Sequence, residues 1–472
     1  MKIQFTCLIL LLLSTVSFSN VNNVQFQASN RMEYRLEDKT KNETFNDWLD
    51  VDYSIDYFTT GLRVEKHQPS PYSGNSADQI SQRYFQFQKD GVKLRVGNFY
   101  RRLGKGIIFQ SFELRNVALD RIQQSFVLDR NVDGLLLEIS KPTYDAALFS
   151  GKPVWLNGDI VRGGEMQYHV FDRILVGGSY LRVNSTDFDG DFHTELRSGQ
   201  MGFSLANMDI YAEYAKKQAP IDRATPGEAF YLSTNLYGSN FGISFEYKDY
   251  DQFLLPFNNP PTLVKEHFVT LLNRHTHAIY ANDEVGFQFE AVYSPWESTS
   301  FTGNFAQSGN HAGDDIFKFQ ELYGEWKQYI GEKLATRLMA DDSFDKIVGD
   351  KSRKTAAAEV DFFINERHSI LLDVQLQSIE KTYGDIKYNN QLFIVAYSIA
   401  PAITAGIQFE HTTDDASKEK NWTTVNLIIK INQNHDLFVT YGGRRAGLVC
   451  SGGYCQRLPE FKGLEIRLNS RF

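Results

Sequence analysis

The sequence lacks long hydrophobic runs beyond its first twenty residues. A bilayer-spanning helix needs about 20 consecutive apolar residues, so a helical membrane protein is excluded. Disorder is excluded as well, because the 472 residues include 36 Phe and 24 Tyr and 42% of them are hydrophobic. At about 150 residues per domain, the length suggests roughly three soluble domains. The steady recurrence of apolar residues along the chain instead favours one unit.

A basic stripe is absent too. The chain carries 49 Lys and Arg against 58 Asp and Glu, a formal net charge of -9. Proteins that bind nucleic acid concentrate positive charge on the surface that meets the phosphates. We therefore expect no nucleic-acid partner.

Cysteine is scarce, with three residues in all. Cys7 lies within the N-terminal apolar block, and Cys450 and Cys455 flank Ser-Gly-Gly-Tyr. That spacing favours a disulfide between Cys450 and Cys455 that closes a tight loop in an oxidising compartment. Two unpaired thiols are the alternative, and zinc is disfavoured because no second ligand pair lies nearby.

The first nineteen residues have the pattern of an export signal. Met1-Lys2 supplies the positive charge, Leu8 to Leu13 the apolar block, and Ser17-Phe18-Ser19 the small residues of a cleavage site. A buried N-terminal helix is the alternative, but no amphipathic face follows. We predict a signal peptide at 1–19 and a mature protein at 20–472.

Strict alternation of apolar and polar residues is the dominant pattern in the rest of the chain. In 284–293, 241–248 and 425–431, one face of each segment is apolar and the other is polar. Such a period of two is typical of half-buried β-strands. About 24 such segments follow one another, between Val24 and Phe472.

Short turns alternate with longer polar loops between these segments. The predicted short turns are 90–91, 141–143, 171–172, 207–209, 238–240, 295–296, 365–367, 400–401 and 432–434. Polar stretches such as 67–79, 219–226 and 413–420 lie between them. This arrangement predicts an all-β fold, a transmembrane antiparallel β-barrel of about 24 strands (22 to 26). A soluble propeller or sandwich is the alternative, but no blade-length repeat supports it.

The last strand indicates how the barrel would reach its membrane. Leu464, Ile466 and Leu468 alternate with polar residues, and the chain ends in Phe472. This resembles the C-terminal signal by which outer-membrane barrels are recognised for insertion, although Ser470 interrupts the apolar series. We expect localisation in the bacterial outer membrane, with the lipid and the barrel-assembly machinery as partners.

A barrel of this width needs something to narrow it, because 16 to 18 strands already enclose an aqueous channel. Two connections, 101–133 and 251–282, are long enough to fold toward the lumen. Interleaved charges across a constriction select polar solutes by charge. The alternative is an ordinary folded loop whose charges pair with each other and with the wall. The candidate pore residues are Arg101, Arg102, Lys105, Glu113, Arg115, Asp129, Arg130, Asp133, Arg274, His275 and His277.

Enzymatic and metal-binding functions have weaker support. No Gly-x-Ser-x-Gly motif occurs, so we expect no catalysis and no cofactor. His275 and His277 with His267 form a possible metal set, but no carboxylate or Cys at a matching spacing completes it, so we expect no metal. The acidic loop Asp187 to Asp191 departs from the calcium-binding EF-hand pattern and fits an exposed loop better.

Several segments together carry a family resemblance. They are 104–134, Pro260-Pro261-Thr262, Leu272 to His275, and Arg445 to Cys450 with Cys455. The chain resembles an uncharacterised family of porin-like outer-membrane β-barrel proteins of Gram-negative bacteria. The resemblance implies fold and location more than activity.

The sequence thus favours a channel for passive or facilitated passage of polar solutes, narrowed by 101–133 and 251–282. A second hypothesis is a structural or assembly component of a secretion or surface-attachment complex, whose barrel is filled by a protein partner.

Overall fold

The computed structural model describes residues 24–69, 77–115, 127–156, 158–171, 173–187, 190–218, 225–264, 267–277, 282–451 and 454–472. The predicted signal peptide and two residues of the predicted acidic loop, 188 and 189, lie outside these ranges. Among the described residues, no helix has the length and apolar character needed to cross a bilayer.

Twenty-four strands form one sheet. In chain order, its first half is β1 (Val24–Glu37), β2 (Glu43–Ile55), β3 (Phe58–Gln68), β4 (Ala77–Lys89), β5 (Val92–Phe99), β10 (Val132–Lys141), β11 (Tyr144–Pro153), β12 (Ile160–Val170), β13 (Ile174–Asp187), β14 (Gly190–Leu205), β15 (Met208–Gln218) and β16 (Gly227–Tyr237). Its second half is β17 (Phe241–Asp251), β18 (Asp283–Trp296), β19 (Thr299–Gly309), β20 (Phe319–Ile330), β21 (Leu334–Asp345), β22 (Asp350–Phe363), β23 (His368–Lys381), β24 (Lys387–Ile399), β25 (Ile403–Thr412), β26 (Asn421–Lys430), β27 (His435–Arg444) and β30 (Phe461–Arg471).

Six short strands and one helical turn lie in the long connections. They are β6 (Arg102–Leu103), β7 (Phe109–Gln110), β8 (Phe112–Leu114), β9 (Leu128–Arg130), β28 (Gly447–Ser451), β29 (Tyr454–Leu458) and the helix α1 (Thr270–Asn273). A 3-10 turn covers Asp315–Phe317. We call residues 100–131 loop A and residues 252–282 loop B.

The sheet closes on itself. Each barrel strand pairs antiparallel with its predecessor, and β1 pairs with β30 from Ser29 opposite Arg471 to Glu37 opposite Gly463. Closure leaves no unpaired sheet edge, which is the condition for a sheet to stand in lipid. The predicted all-β antiparallel barrel of about 24 strands is confirmed.

The two ends of the barrel differ as the sequence predicts. At one end the turns have two to four residues, and at the other most connections are longer, including loops A and B, although 346–349 has only four residues. Asp90 and Gly91 form one two-residue turn with φ angles of 49° and 78°. A Cβ on Gly91 would lie 2.1 Å from the Ser140 carbonyl oxygen, so the turn requires glycine.

Two predicted turns are displaced along the chain. Residues 208–209 begin β15 and residues 295–296 end β18, so the turns fall at 206–207 and 297–298. The turns at 56–57 and 331–333 were not predicted. The geometry of each hairpin determines where its strands end. The alternation of apolar and polar residues alone therefore does not give the position of a turn to the exact residue.

Side chains alternate between lipid and lumen along each strand. On β25, Ile407 and Phe409 are exposed on the outer face, whereas Gln408 and Glu410 are buried on the inner face. One stretch of the inner face departs from this polar character. It carries buried apolar side chains on β10 to β17, including Val132, Leu136, Phe149, Val161, Leu181, Val183 and Leu196.

Candidate functional site

Both long loops enter the barrel and reach about half its height. The backbone N–H of Lys105 in loop A donates to Glu213 Oε2 at 2.9 Å, near the middle of β15. The backbone N–H of Leu271 in loop B donates to Gln375 Oε1 at 3.1 Å, near the middle of β23. The lumen is therefore narrowed from within, on two sides.

Loop A packs against the apolar stretch of the wall. Leu103, Ile107, Ile108 and Phe109 are fully buried. The Phe109 ring lies 5.1 Å from the Phe149 ring, centroid to centroid. Burial of each such side chain contributes about 1.5 to 3 kcal/mol, so this cluster is the main attachment of the loop.

Wall carboxylates hold the backbone of the same segment. The N–H of Gly104 donates to Glu165 Oε1 at 2.7 Å, next to the Lys105 contact with Glu213. Arg101 binds Glu165 at 2.5 Å and Glu138 at 2.8 Å. Successive backbone N–H groups that point at carboxylates form a fixed positive field, so the main chain of loop A contributes one hydrogen bond to each of two buried acids of the wall.

A cluster of charged groups fixes the far end of loop A. Arg115 binds Glu113 at 2.5 Å and Asp50 at 2.8 Å, and Arg63 binds Glu113 at 2.8 Å and Asp129 at 3.0 Å. Burial raises the pKa of the Glu113 carboxyl to about 7, because the neighbouring Arg63 offsets only part of the lost hydration. These candidate residues lie together but are bound to each other and to β2 and β3.

Arg102 and Lys105 have a different environment. Both are exposed, whereas Leu103 between them is buried against the wall. The Lys105 ammonium lies 5.0 Å from the Tyr211 ring centroid, and Arg102 is near enough to the same ring to interact electrostatically. These two cations therefore face the interior of the barrel.

The last two candidates of this segment do not line the lumen in the same way. The Arg130 guanidinium lies over the Phe112 and Trp155 rings at 5.7 and 5.9 Å. Asp133 lies on the outer face of β10, because it alternates with the buried Val132, and it pairs with the exposed Arg83 at 3.6 Å. The expectation that Asp133 faces the lumen is wrong, since the strand begins one residue before it.

Loop B is attached to the wall by buried apolar side chains, such as Val269 and Leu271, and by cationic side chains. Arg274 forms an ion pair with Glu410, which is 1% exposed, and Arg445 lies 3.6 Å from the same carboxylate. His275 Nδ1 lies 3.7 Å from Asp350, and its carbonyl oxygen accepts a hydrogen bond from Arg353 at 3.0 Å. Burial and the surrounding cations lower the pKa of His275 well below its usual value.

His277 forms the densest contact of loop B. Its ring lies 2.8 Å from Asp345 through Nδ1 and 3.3 Å from Glu284 through Nε2, and it stacks on Phe319 at 4.2 Å. Burial opposes the charge of the imidazole, but the two carboxylates outweigh burial and raise the pKa of His277 to about 9. A protonated His277 therefore anchors the end of the loop near neutral pH.

The third histidine of loop B binds a separate carboxylate. His267 Nε2 lies 3.0 Å from Glu321, and its ring lies 4.6 Å from the Tyr323 ring. His267, His275 and His277 thus reach three different sites on the wall. Within the described part of the chain, no three His, Cys, Asp or Glu side chains are grouped to hold a metal ion.

The two loops meet each other. Asn258 Nδ2 donates to the Ile107 carbonyl at 2.9 Å, and the Gln110 N–H donates to the Phe257 carbonyl at 3.0 Å. The Asn259 N–H donates to the Gly106 carbonyl at 3.1 Å. Loops A and B therefore form a joined inner layer along much of the wall.

The remaining predicted residues lie near the closing strands. Cys450 and Cys455 occupy directly opposed backbone positions of the β28–β29 hairpin, and the disulfide stays a prediction. Leu464, Ile466 and Leu468 stand opposite Leu36, Tyr34 and Met32 of β1 on the outer face. The Phe472 N–H donates to the Ala28 carbonyl at 2.8 Å. Recognition of this strand during insertion stays a prediction.

Sequence reasoning missed the wall residues that receive the loops. They are Glu165, Glu213, Glu284, Asp345, Gln375 and Glu410. Each is a polar residue on the non-lipid face of a strand, so the alternation already marks it as inward. Nothing local tells which inward residue meets which loop.

The chain belongs to a family of unknown function, DUF6029, whose model matches residues 1–123 and 169–472. This confirms the predicted membership of an uncharacterised outer-membrane barrel family. A search of curated proteins finds no match.

Solved structures show a similar fold at low identity. The translocation pore of the P pilus usher PapC is 11% identical, with a TM-score of 0.50 over 95% of this chain and 99% of that chain. OccK5 (OpdH) of Pseudomonas aeruginosa is 10% identical, with a TM-score of 0.41 over 69% of this chain and 94% of that one. The siderophore receptor PirA of Pseudomonas aeruginosa is 7% identical, with a TM-score of 0.45 over 96% and 81%.

Proposed function

We propose that this member of DUF6029 is an outer-membrane channel for the passive or facilitated passage of polar solutes. Its lumen is narrowed at mid-height by loops A and B. The family membership and the closed 24-stranded barrel support an outer-membrane pore in general. The path of the solute through the lumen is inferred from loops A and B of this chain.

The observation that carries the proposal is the joined inner layer formed by the two loops. Loop A is fixed by a buried apolar cluster, and loop B is fixed by smaller apolar clusters together with buried ion pairs, so neither is a loosely tethered lid. A constriction that selects solutes needs such fixed groups, because selectivity depends on where charges are held. Arg102 and Lys105 are the exposed cations that it presents.

The first experiment is single-channel recording of the purified protein in a planar bilayer, with ion selectivity measured in a salt gradient. We expect stable conductance steps. Replacing Arg102 by Gln should shift selectivity toward cations, whereas Arg130→Gln, whose side chain lies over two aromatic rings, should leave it unchanged. A correctly folded protein without conductance would contradict the channel.

A second candidate function is a pore or scaffold that a partner protein fills. The supporting observation is the similarity to the PapC translocation pore over 99% of that chain. Mild detergent extraction should then yield a stoichiometric partner that leaves the barrel at high salt or with loop variants. A conducting protein that purifies alone would argue against this function.

Export and the disulfide are proposals with direct tests. N-terminal sequencing of the protein from the membrane should begin near residue 20. Alkylation before and after reduction should label Cys450 and Cys455 only after reduction. A chain that retains residue 1, or thiols that react without reduction, would refute the respective proposal.

A further inference from the structure

A cavity of about 300 Å³ lies inside the barrel, between loop A and the end with short turns. Its polar lining includes Lys105, Arg173, Tyr211, Ser233 and Asn235. Asp209 and Tyr211 on β15, and Ser233 and Asn235 on β16, lie on the inner faces of their strands, because they alternate in phase with the buried Glu213 and Tyr231. The cavity therefore lies in the lumen, directly below loop A.

Lys105 is the main positively charged group of this cavity. The preceding Leu103 and the following Ile107 are fully buried, so the loop backbone is fixed on both sides of Lys105. Its own N–H is bound to Glu213, while its ammonium lies over the Tyr211 ring. No carboxylate of the described residues lies within ion-pair distance of that ammonium.

The neighbouring carboxylates are already bound elsewhere. Glu165 accepts hydrogen bonds from Arg101, from the Gly104 N–H and from Gln200. Glu246 interacts electrostatically with Lys105 but is hydrogen-bonded by Tyr231. The acids near the loop are thus turned toward other donors, and Lys105 is available to a ligand.

Arg173 adds a second cation, from the turn between β12 and β13. His169, Ser233 and Asn235 supply hydrogen-bonding groups beside it. Among the described lining residues, Asp209 is the carboxylate, and its negative charge partly offsets the positive charges of Lys105 and Arg173. Cations next to hydroxyl and amide groups, in a water-filled space with low-dielectric walls, attract anions and orient polar ligands.

We propose that this cavity is a binding site for a small organic oxyanion, a carboxylate or phosphate group on a hydroxylated body, with Lys105 as its main charged contact. The inference rests on the proposed channel and names its class of solute. A volume of about 300 Å³ corresponds to roughly ten water molecules at about 30 Å³ each, which suits a solute of monosaccharide size.

Calorimetric titration of the detergent-solubilised, full-length protein tests the site without requiring conductance. The probes are gluconate, glucose 6-phosphate and neutral glucose. We expect at least one of the two anions to bind and glucose to bind about tenfold more weakly or not at all. Binding of gluconate alone assigns a carboxylate site, and binding of glucose 6-phosphate alone assigns a phosphate site. Equal binding of glucose, or no binding of either anion, overturns the proposal.

Two variants and a matched control locate the site. Lys105→Gln should weaken anion binding about tenfold, and Asp209→Asn should strengthen it severalfold. Lys327→Gln is the control, because Lys327 also faces the lumen but pairs with Glu325 at 2.9 Å on β20, four barrel strands away from β16. Unchanged binding in Lys105→Gln, or equal loss in Lys327→Gln, overturns the assignment.

The outcome separates this inference from the proposed channel. Conductance without anion binding would contradict the proposed oxyanion site but not the proposed channel. Anion binding by a protein that never conducts would contradict the proposed channel but not the proposed site. Because Lys105 is exposed, its replacement should not change the heat stability of the barrel, and that measurement identifies a misfolded variant.

Discussion

Loops A and B both attach to the inner wall of the barrel, but they differ in the polar groups that bind the carboxylates of the wall. Loop A buries four apolar side chains and offers backbone N–H groups to wall carboxylates. Loop B also buries apolar side chains, among them Val269, Leu271 and Leu272. Its contacts with carboxylates of the wall, however, come from the side chains of Arg274, His267 and His277. Apolar packing does not titrate, whereas the ion pairs of His277 do. The ion pairs of His277 therefore give the attachment of loop B a pH dependence that the apolar attachment of loop A lacks.

The largest effect should come from the apolar attachment of loop A. Phe109→Ala removes a fully buried ring stacked near Phe149 and should cost about 3 to 5 kcal/mol of loop attachment. Hydrogen exchange of residues 103–110 should rise, and channel conductance should become larger and noisier. Phe171→Ala is the control, because Phe171 is 89% exposed in a short turn. Unchanged exchange would contradict the importance of this packing.

The next largest effect should come from the buried ion pair of loop B. Arg274→Met leaves Glu410 with only the more distant Arg445 and should cost about 3 kcal/mol, the lower end for a broken buried pair. Hydrogen exchange of residues 267–277 should rise while loop A stays protected. Adding Glu410→Gln should recover much of the loss. If the double variant were no better than the single one, an unpaired buried charge would not be the cause.

The attachment of loop B should also weaken at alkaline pH. The pKa of His277 rises from 6.5 to about 9 in the folded protein. Its contribution is therefore complete below pH 6.5 and is lost as the pH rises through about 9, for a total of up to about 3 kcal/mol. Exchange of loop B, corrected for the intrinsic rate, should increase between pH 6.5 and 9, and His277→Gln should abolish that dependence. Equal alkaline release of residues 103–110 would break the comparison.

The smallest effect should come from the charged cluster at the far end of loop A. Arg115 is partly exposed, and Arg63 remains bound to Glu113 without it. Arg115→Ala should therefore cost under about 1 kcal/mol, as exposed ion pairs usually do. Exchange near residues 112–115 should change slightly and conductance hardly at all. A loss as large as that of Phe109→Ala would show that charge, not packing, holds loop A.

The fold could be predicted from the sequence because the alternation of apolar and polar residues is a local property. The lipid-facing side of each strand is marked by apolar residues such as Phe287 and Phe289, and most of the short turns contain Gly, Pro or Asn. The boundaries at 206–207 and 297–298 were missed by one or two residues, because the pattern continues through the strand end. Asp133 was misplaced for the same reason, since a one-residue shift reverses the face.

Only part of the candidate site could be predicted from the sequence. Loop length marked both loops, and residue type marked Arg102, Lys105, Arg274 and His277 as charged groups within them. Their separation into wall-bound and lumen-facing groups required partners that lie far away in sequence, such as Glu213 for loop A and Glu410 for loop B. The apolar stretch on the inner face was not predicted either, because barrel interiors are usually polar.

The sequence by itself determined the antiparallel barrel, its approximate strand number, and which end carries the long loops. These follow from a period of two and from turn chemistry, both of which act between neighbouring residues. Only the tertiary structure decided which charges neutralise each other and that Lys105 is left facing a cavity. Those outcomes depend on contacts between residues more than a hundred positions apart, which the closed sheet alone brings together.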